Sequence, residues 1–550
     1  MFISIIKVRL LELRTTPRSI FDWIPILRCK LRAFSAGMTE GSEFRGIQSG
    51  EIKGRSIIAQ VVSRWRHMLS NKKRLLLLAV LFVTVVLKNP VPSYSQDIEH
   101  PLKGQKVEMS FLGIEGWLSS RLGVYTSSDF VAYAKKNYGY DVNFTFTDSP
   151  FSEWYQKAAT SFEKGSQKYN ILICDSQWLQ AFAEKGWIVN INDIIDIHPE
   201  LNIEWWDPIV KETYMDPLSS GQLWGMPQEA DVISLFVRKD LFEDKKERQA
   251  FLKKYGRDLP QTFEDFEKLS MQEFEKIAEF FTRPEEGLYG TVMAYSPEYD
   301  FLSMYLNVFM FSMGGEIWDE EDKRIYGILN SEINKNALKR YKKLLKYQNP
   351  NVVNYGVIET IEAFSEGKVA TAFQWAAVGI AMISPESKDK VMVVPPPGFK
   401  QRNGSLKRLY PIGGQPWIIN AFNDELHMRV AIDFLKWWYL PEVQLRFAEK
   451  GGNPAMKSIL ENPGFDEIQP WFRALKYMLK KKYSRDLWHT SQYGKLLEIQ
   501  QEAFRAYIIG QIDDPSLVLE YIACQQQKVL FDSGESDIPS PKKCATVTLR

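Results

Sequence analysis

The residues best placed to do chemistry are acids and aromatics that follow apolar strands. Tyr169–Ile173 is a continuous apolar run of the kind buried in a parallel sheet, and Asp175 sits just past its end, with Trp178 three residues on. In open α/β sheets, ligands gather outside the carboxyl ends of strands, so this position favours a ligand contact. A second acid and indole, Glu115 and Trp117, follow an earlier strand in the loop Gly113-Ile114-Glu115-Gly116-Trp117. An ionised carboxylate accepts hydroxyl donors in charge-assisted hydrogen bonds, and an indole offers a flat apolar platform. Paired carboxylates could also cleave a glycosidic bond, which needs two positioned acids. No HExxH, CxxC, GxSxG or GxGxxG accompanies them, which points away from catalysis. Four histidines follow residue 95 (His100, His198, His427 and His489), none spaced as a metal pair. No cofactor and no metal are expected.

The elements that must position these groups alternate. Val107–Leu112 reads as a first strand. A helix through Phe130–Lys136 leads to a second strand, Val142–Thr147, in which Val142, Phe144 and Phe146 alternate. A helix over 151–164 precedes the buried run, and strand–helix–strand alternation predicts α/β layers. Farther on, Thr262-Phe263-Glu264-Asp265 resembles a capping box opening one helix, whose apolar face is Phe266, Leu269, Phe274, Ile277 and Phe281. Leu426–Trp438 is a second amphipathic helix. Pro441 starts the next, and Gly451-Gly452 ends it. The charged run Asp319–Arg324 reads as a solvated hairpin tip. From about Ser533 the chain is polar and rich in Pro and Ser, and is expected to be a flexible tail.

A chain of 550 residues, 45% apolar and 25% charged, has room for two or three domains. Its formal charge of +1 hides an asymmetry: residues 1–74 carry a net +10 and residues 96–550 about −10. An acidic body argues against a nucleic-acid partner, which needs clustered positive charge. The apolar run Leu75–Leu87 follows Asn71-Lys72-Lys73-Arg74 and is short for a bilayer span, which needs roughly 20 residues. Its flanks fit a signal peptide over 68–95, cleaved before Gln96, with a retained anchor as the alternative. Residues 1–67 are a basic extension, and a true start at Met68 would give an ordinary signal. Three cysteines lie beyond the signal. Cys174 is expected to be a packed thiol, and Cys524 and Cys544 could pair in an oxidising compartment.

Four ordered segments resemble the family 1 extracellular solute-binding proteins of sugar ABC transporters, the maltose-binding-protein-like periplasmic receptors. They are Tyr169–Asp193 (YNILICDSQWLQAFAEKGWIVNIND), Leu223–Phe242 (LWGMPQEADVISLFVRKDLF), Gly314–Trp375 with its GGEIWD, NPNVVNY and AFSEGKVATAFQW, and Tyr410–Ser458 beginning YPIGGQPWIIN. The resemblance implies a type II periplasmic-binding-protein fold: two α/β lobes, inter-lobe crossing strands and a central ligand cleft. It divides the chain into an N-lobe of 105–232 and 415–462 and a C-lobe of 236–410 and 465–530. It also implies an exported, periplasmic, monomeric receptor for a carbohydrate or related polar solute, such as a polyol. Such a receptor delivers its solute to an ABC permease and an ATPase on separate chains. The chain itself has no GxxxxGK[ST] phosphate loop.

The same resemblance places further candidates in the cleft beside Glu115, Trp117, Asp175 and Trp178. Gln228 and Glu229 precede the first crossing, and Glu229 matches an acidic contact of the family. Glu298, Tyr299 and Asp300 lie in the loop AYSPEYDF, and Gln374-Trp375 aligns with a stacking tryptophan. Gly413, Gly414 and Gln415 occupy the second crossing, and Tyr493 is a late aromatic. Two other readings stand beside this one: a solute receptor that reports to a membrane sensor, and an exported glycoside hydrolase.

Overall fold

The computed structural model describes residues 100–216 and 220–549. The signal or anchor over 68–95 and the extension before it lie outside the described residues. Ten strands occur among the described residues. Three belong to the first part of the chain: β1 (Lys106–Ile114), β2 (Asp141–Ser149) and β3 (Ile171–Ile173). β4 (Met226–Arg238) is the longest. β5 (Thr371–Trp375) and β6 (Val391–Val394) follow, then the small hairpin of β7 (Phe399–Lys400) and β8 (Leu406–Lys407). β9 (Tyr410–Ile419) and β10 (Ser484–Arg485) complete the set.

β1 pairs in parallel with β2 and with β3, which is the doubly wound start the strand–helix alternation predicts. The remaining pairings explain how two lobes share one chain. β4 pairs with β9 from Met226 to Val232, then with β5 and β6 from Ile233 to Arg238. β9 runs the opposite way, pairing with β10 at Tyr410–Pro411, with β4 from Ile412 to Trp417, and with β3 from Trp417 to Ile419. Two antiparallel strands therefore leave one lobe and enter the other side by side. Twelve of the thirteen residues of β4 are buried, among them the polar Gln228, Glu229, Asp231 and Ser234.

Six helices carry or support the site. α1 (Leu118–Ser127) and α2 (Phe151–Glu163) flank the first sheet, and α3 (Phe301–Met313) runs through the core of the second lobe with only Met313 partly exposed. α4 (Glu425–Trp438) returns to the first lobe. There Trp417 meets Phe434 and Trp438 edge-on at 5.2 and 5.3 Å, and Phe111 at 5.8 Å. Edge-to-face packing of this kind adds about 0.5–1.5 kcal/mol per pair beyond area burial. α5 (Tyr493–Ile508) and α6 (Pro515–Asp532) pack together in the second lobe.

Two expectations change. The helix expected across Thr262–Phe281 is two helices. The Thr262–Asp265 capping box opens Phe263–Glu267, and a second box, Ser270 with Glu273, restarts the chain for Met271–Phe281. Ser270 ends one apolar stretch because its hydroxyl and backbone both engage Glu273. The polar tail after Ser533 folds back on α6: a disulfide joins Cys524 to Cys544, and the Gln527 amide donates to the Ile538 carbonyl at 2.9 Å. The one free cysteine among the described residues, Cys174, is buried. The Asp319–Arg324 run is a bridged, largely exposed tip.

Candidate functional site

The crossing strands set the floor of a small cavity between the lobes. β9 contributes Gly413, Gly414 and Gln415, and β4 contributes Asp231. The glycines are there for room. A Cβ on Gly413 would lie 2.8 Å from the Trp375 ring, and one on Gly414 would lie 2.8 Å from the Glu229 carbonyl oxygen. Gly414 also has φ +111°, which L side chains rarely adopt. The Tyr214 hydroxyl donates to the Gly413 carbonyl and accepts from the Asp231 amide at 3.1 Å, tying the two strands together at this point.

From the first lobe, Trp117 and Asp175 reach the cavity. Trp117 precedes α1, and its indole donates to Glu229 Oε1 at 2.6 Å. Glu229 thus holds Trp117 in place without lining the cavity itself. Asp175 caps the turn after β3, accepting from the Gln177 amide at 2.9 Å. From the second lobe come Asp300 at the start of α3, Tyr299 beside it, and Trp375 at the end of β5. Tyr299 holds φ +47° and stacks on Phe151 of α2, with ring centroids 5.0 Å apart. That stack closes one wall.

Other expected residues sit elsewhere. Glu115 and Glu298 are exposed and away from the cavity. Gln228 alternates to the opposite face of β4 from Glu229 and Asp231 and packs against Gly123. Gln374 is buried in the second lobe, donating to Thr360 Oγ1 at 2.6 Å and accepting from Trp375 N. Trp178 and Tyr493 line a groove that shares Phe151, Gln177 and Tyr299 with the cavity, and the Tyr493 hydroxyl lies 3.5 Å from Asp300. Five residues absent from the expected set, Phe151, Gln177, Asp231, Phe301 and Met304, line the cavity. The signal for Asp231 was in the sequence: it stands two residues beyond Glu229 on an extended strand, so both share a face.

The electrostatics are lopsided. Asp175, Asp231 and Asp300 line the cavity, Glu229 stands behind Trp117, and no Lys, Arg or His lines it. Burial pushes Asp175 up to about 7, against the opposing hydrogen bond from the Gln177 backbone amide. Burial also raises Glu229, Asp231 and Asp300 well above the usual carboxylate range. The neighbouring acids add to the effect at Glu229, from Asp231, and at Asp300, from Asp175. Nearby Asp486 behaves oppositely. Burial would raise it, but His489 at 2.9 Å and the Gln177 amide at 2.7 Å hold it below its ordinary value. Among the described residues no group of His, Cys, Asp and Glu could hold a metal ion.

Residues 123–445 match the family model of bacterial extracellular solute-binding proteins. The chain belongs to that family. Solved structures of similar fold include a maltose-bound protein of T. maritima, MalE3, at 20% identity and TM-score 0.63, covering 77% of this chain and 100% of that one. A ribitol-bound ABC transporter solute-binding protein of Agrobacterium radiobacter K84 is similar at 20% identity and TM-score 0.61, covering 78% and 100%. The GacH receptor of Streptomyces glaucescens GLA.O is similar at 18% and 0.59, covering 78% and 99%. No curated protein sequence matches the chain. These likenesses establish the two-lobed binding-protein fold, in which the paired crossings β4 and β9 are the connections between lobes.

In this solute-binding protein the lobes touch beside the cavity at the Phe151–Tyr299 stack. The cavity holds about 30 Å³, whereas small-molecule pockets commonly occupy about 300–1,000 Å³. Phe151, Gln177 and Tyr299 line both this cavity and the adjoining groove of about 800 Å³. Parting the Phe151–Tyr299 stack would merge the two into one cleft.

Proposed function

We propose that this chain is the exported substrate-binding component of an ABC-type importer, and that its solute is a carbohydrate or polyol held between the lobes. The N-lobe is then 105–232 with 415–462, and the C-lobe 236–410 with 465–530. One observation carries the reading. Aromatic faces (Trp117, Trp375, Tyr299) and carboxylates (Asp175, Asp231, Asp300) converge on one small cavity beside the inter-lobe strands. A sugar presents apolar C–H faces to the first set and hydroxyl donors to the second. Maltose, ribitol and D-mannitol are bound by proteins of similar fold, which supports the solute class.

Entry requires the lobes to part, and a solute that bridges them shifts the population back toward closure. The loaded, closed form is what a separate permease and ATPase recognise. The disulfide Cys524–Cys544 fits an oxidising compartment, in keeping with an extracellular family and a periplasmic location. No helix among the described residues is long and apolar enough to cross a membrane. The receptor works as a monomer and releases its solute unaltered.

A thermal-shift panel of mono- and disaccharides, polyols and inorganic anions tests the reading. At least one sugar or polyol is expected to raise Tm in a concentration-dependent way, as binding to the native state alone requires. Stabilisation by anions, with no sugar or polyol active, would sink it.

A further inference from the structure

Four of the buried hydrogen-bonding atoms left over around the cavity are carbonyl or carboxylate oxygens, and the Tyr299 hydroxyl can also donate. Glu229 Oε2, Asp231 Oδ2, Gln177 Oε1 and Gln415 Oε1 are all buried acceptors with no partner among the described residues. Asp231 is fully buried and Gln415 is 2% exposed, and both line the cavity. The partners these acids do have are neutral. Asp231 Oδ1 accepts from the amides of Val232 and Ala377 at 2.8 and 3.0 Å, Glu229 from the Trp117 indole, and Asp175 from the Gln177 amide. The Tyr493 hydroxyl lies 3.5 Å from Asp300. None of Asp175, Glu229, Asp231 and Asp300 takes part in a salt bridge among the described residues. The nearest basic ring, His489, pairs with Asp486.

Burial holds these acids toward their neutral forms, and a neutral polyol would leave the cost of ionising them in place, whereas a cation offsets it. An ammonium group brings three donors and the missing charge at once. The walls suit it as well: Trp117, Trp375 and Tyr299 face the cavity, and a cation over such rings is attracted by their quadrupoles. We infer that the solute is cationic, an aminated sugar or amino-polyol whose ammonium sits among Asp175, Asp231 and Asp300 with its carbon skeleton against the tryptophans.

The inference rests on the carbohydrate-receptor reading and is separable from it. The test is calorimetric titration at pH 7.5 with matched sets: glucose, glucosamine and N-acetylglucosamine; sorbitol and N-methylglucamine; and choline and putrescine as cations that are not carbohydrates. The expected result is that an aminated sugar or polyol binds at least about tenfold tighter than its neutral and N-acetyl counterparts. The margin should collapse in Asp231→Asn and, should that variant fail to fold, in Asp300→Asn. Neutral members binding as tightly as aminated ones would overturn the cation and leave the carbohydrate receptor standing. Choline or putrescine binding while no sugar or polyol does would keep the cation and overturn the carbohydrate. Binding by no member overturns both.

Discussion

Asp175 shows how a single residue joins fold and function. It ends a three-residue buried strand, caps the next turn through the Gln177 amide, and lines the cavity. Burial lifts its pKa from 3.8 to about 7, and the sign of the consequence follows. Below about pH 4 the folded and unfolded states both keep the proton, and burial costs nothing. Between about 4 and 7 the unfolded carboxyl has ionised and the folded one has not, so stability falls across that window. Asp175→Asn keeps the acceptor for Gln177 and removes this penalty. Its Tm, relative to the wild type, is therefore expected to climb between pH 4 and pH 8. Differential scanning calorimetry at a series of pH values checks it; a difference that stays flat contradicts the burial argument.

The elements were more legible than the side chains they aim. Apolar runs and caps locate β1, β2, α2 and α4 within a few residues, because burial on one face or two leaves a period in the sequence. Glu229 and Gln228 are neighbours in sequence, yet one supports Trp117 and the other packs on Gly123. Which face of β4 turns toward the cavity depends on its pairing with β9, and no local pattern carries that. Trp375 and Gln374 separate for the same reason: alternation sends one to the cavity and the other to Thr360. The crossing itself makes a testable demand. Gly414→Ala must hold φ +111° with a Cβ 2.8 Å from a backbone oxygen, which a flexible side chain cannot relieve. Denaturant unfolding should show a loss of about 1–3 kcal/mol. Unchanged stability would mean that β4 and β9 do not pack as described.

At the scale of the whole molecule, the paired crossings make two lobes into one device. The buried apolar cluster runs through both lobes, around Trp417 in the first and α3 in the second, and the lobes meet through β4, β9 and the Phe151–Tyr299 stack. The stack adds about 0.5–1.5 kcal/mol beyond the area it buries, and Trp178 against Tyr299 and Gln177 to Asp486 join it there. The four resembling segments conveyed this architecture because they fall on the crossings and on the strands that feed the cavity. The contact between the lobes was not legible, since it depends on residues such as Phe151 and Tyr299 that lie far apart in sequence. The central claim is reversible capture of one small solute without chemistry. Titrating the protein calorimetrically with the sugar or polyol that most raises its Tm, then recovering that compound, tests it most directly. One equivalent bound per chain and the compound returned intact are expected; turnover products, or no saturable binding, would contradict capture without chemistry.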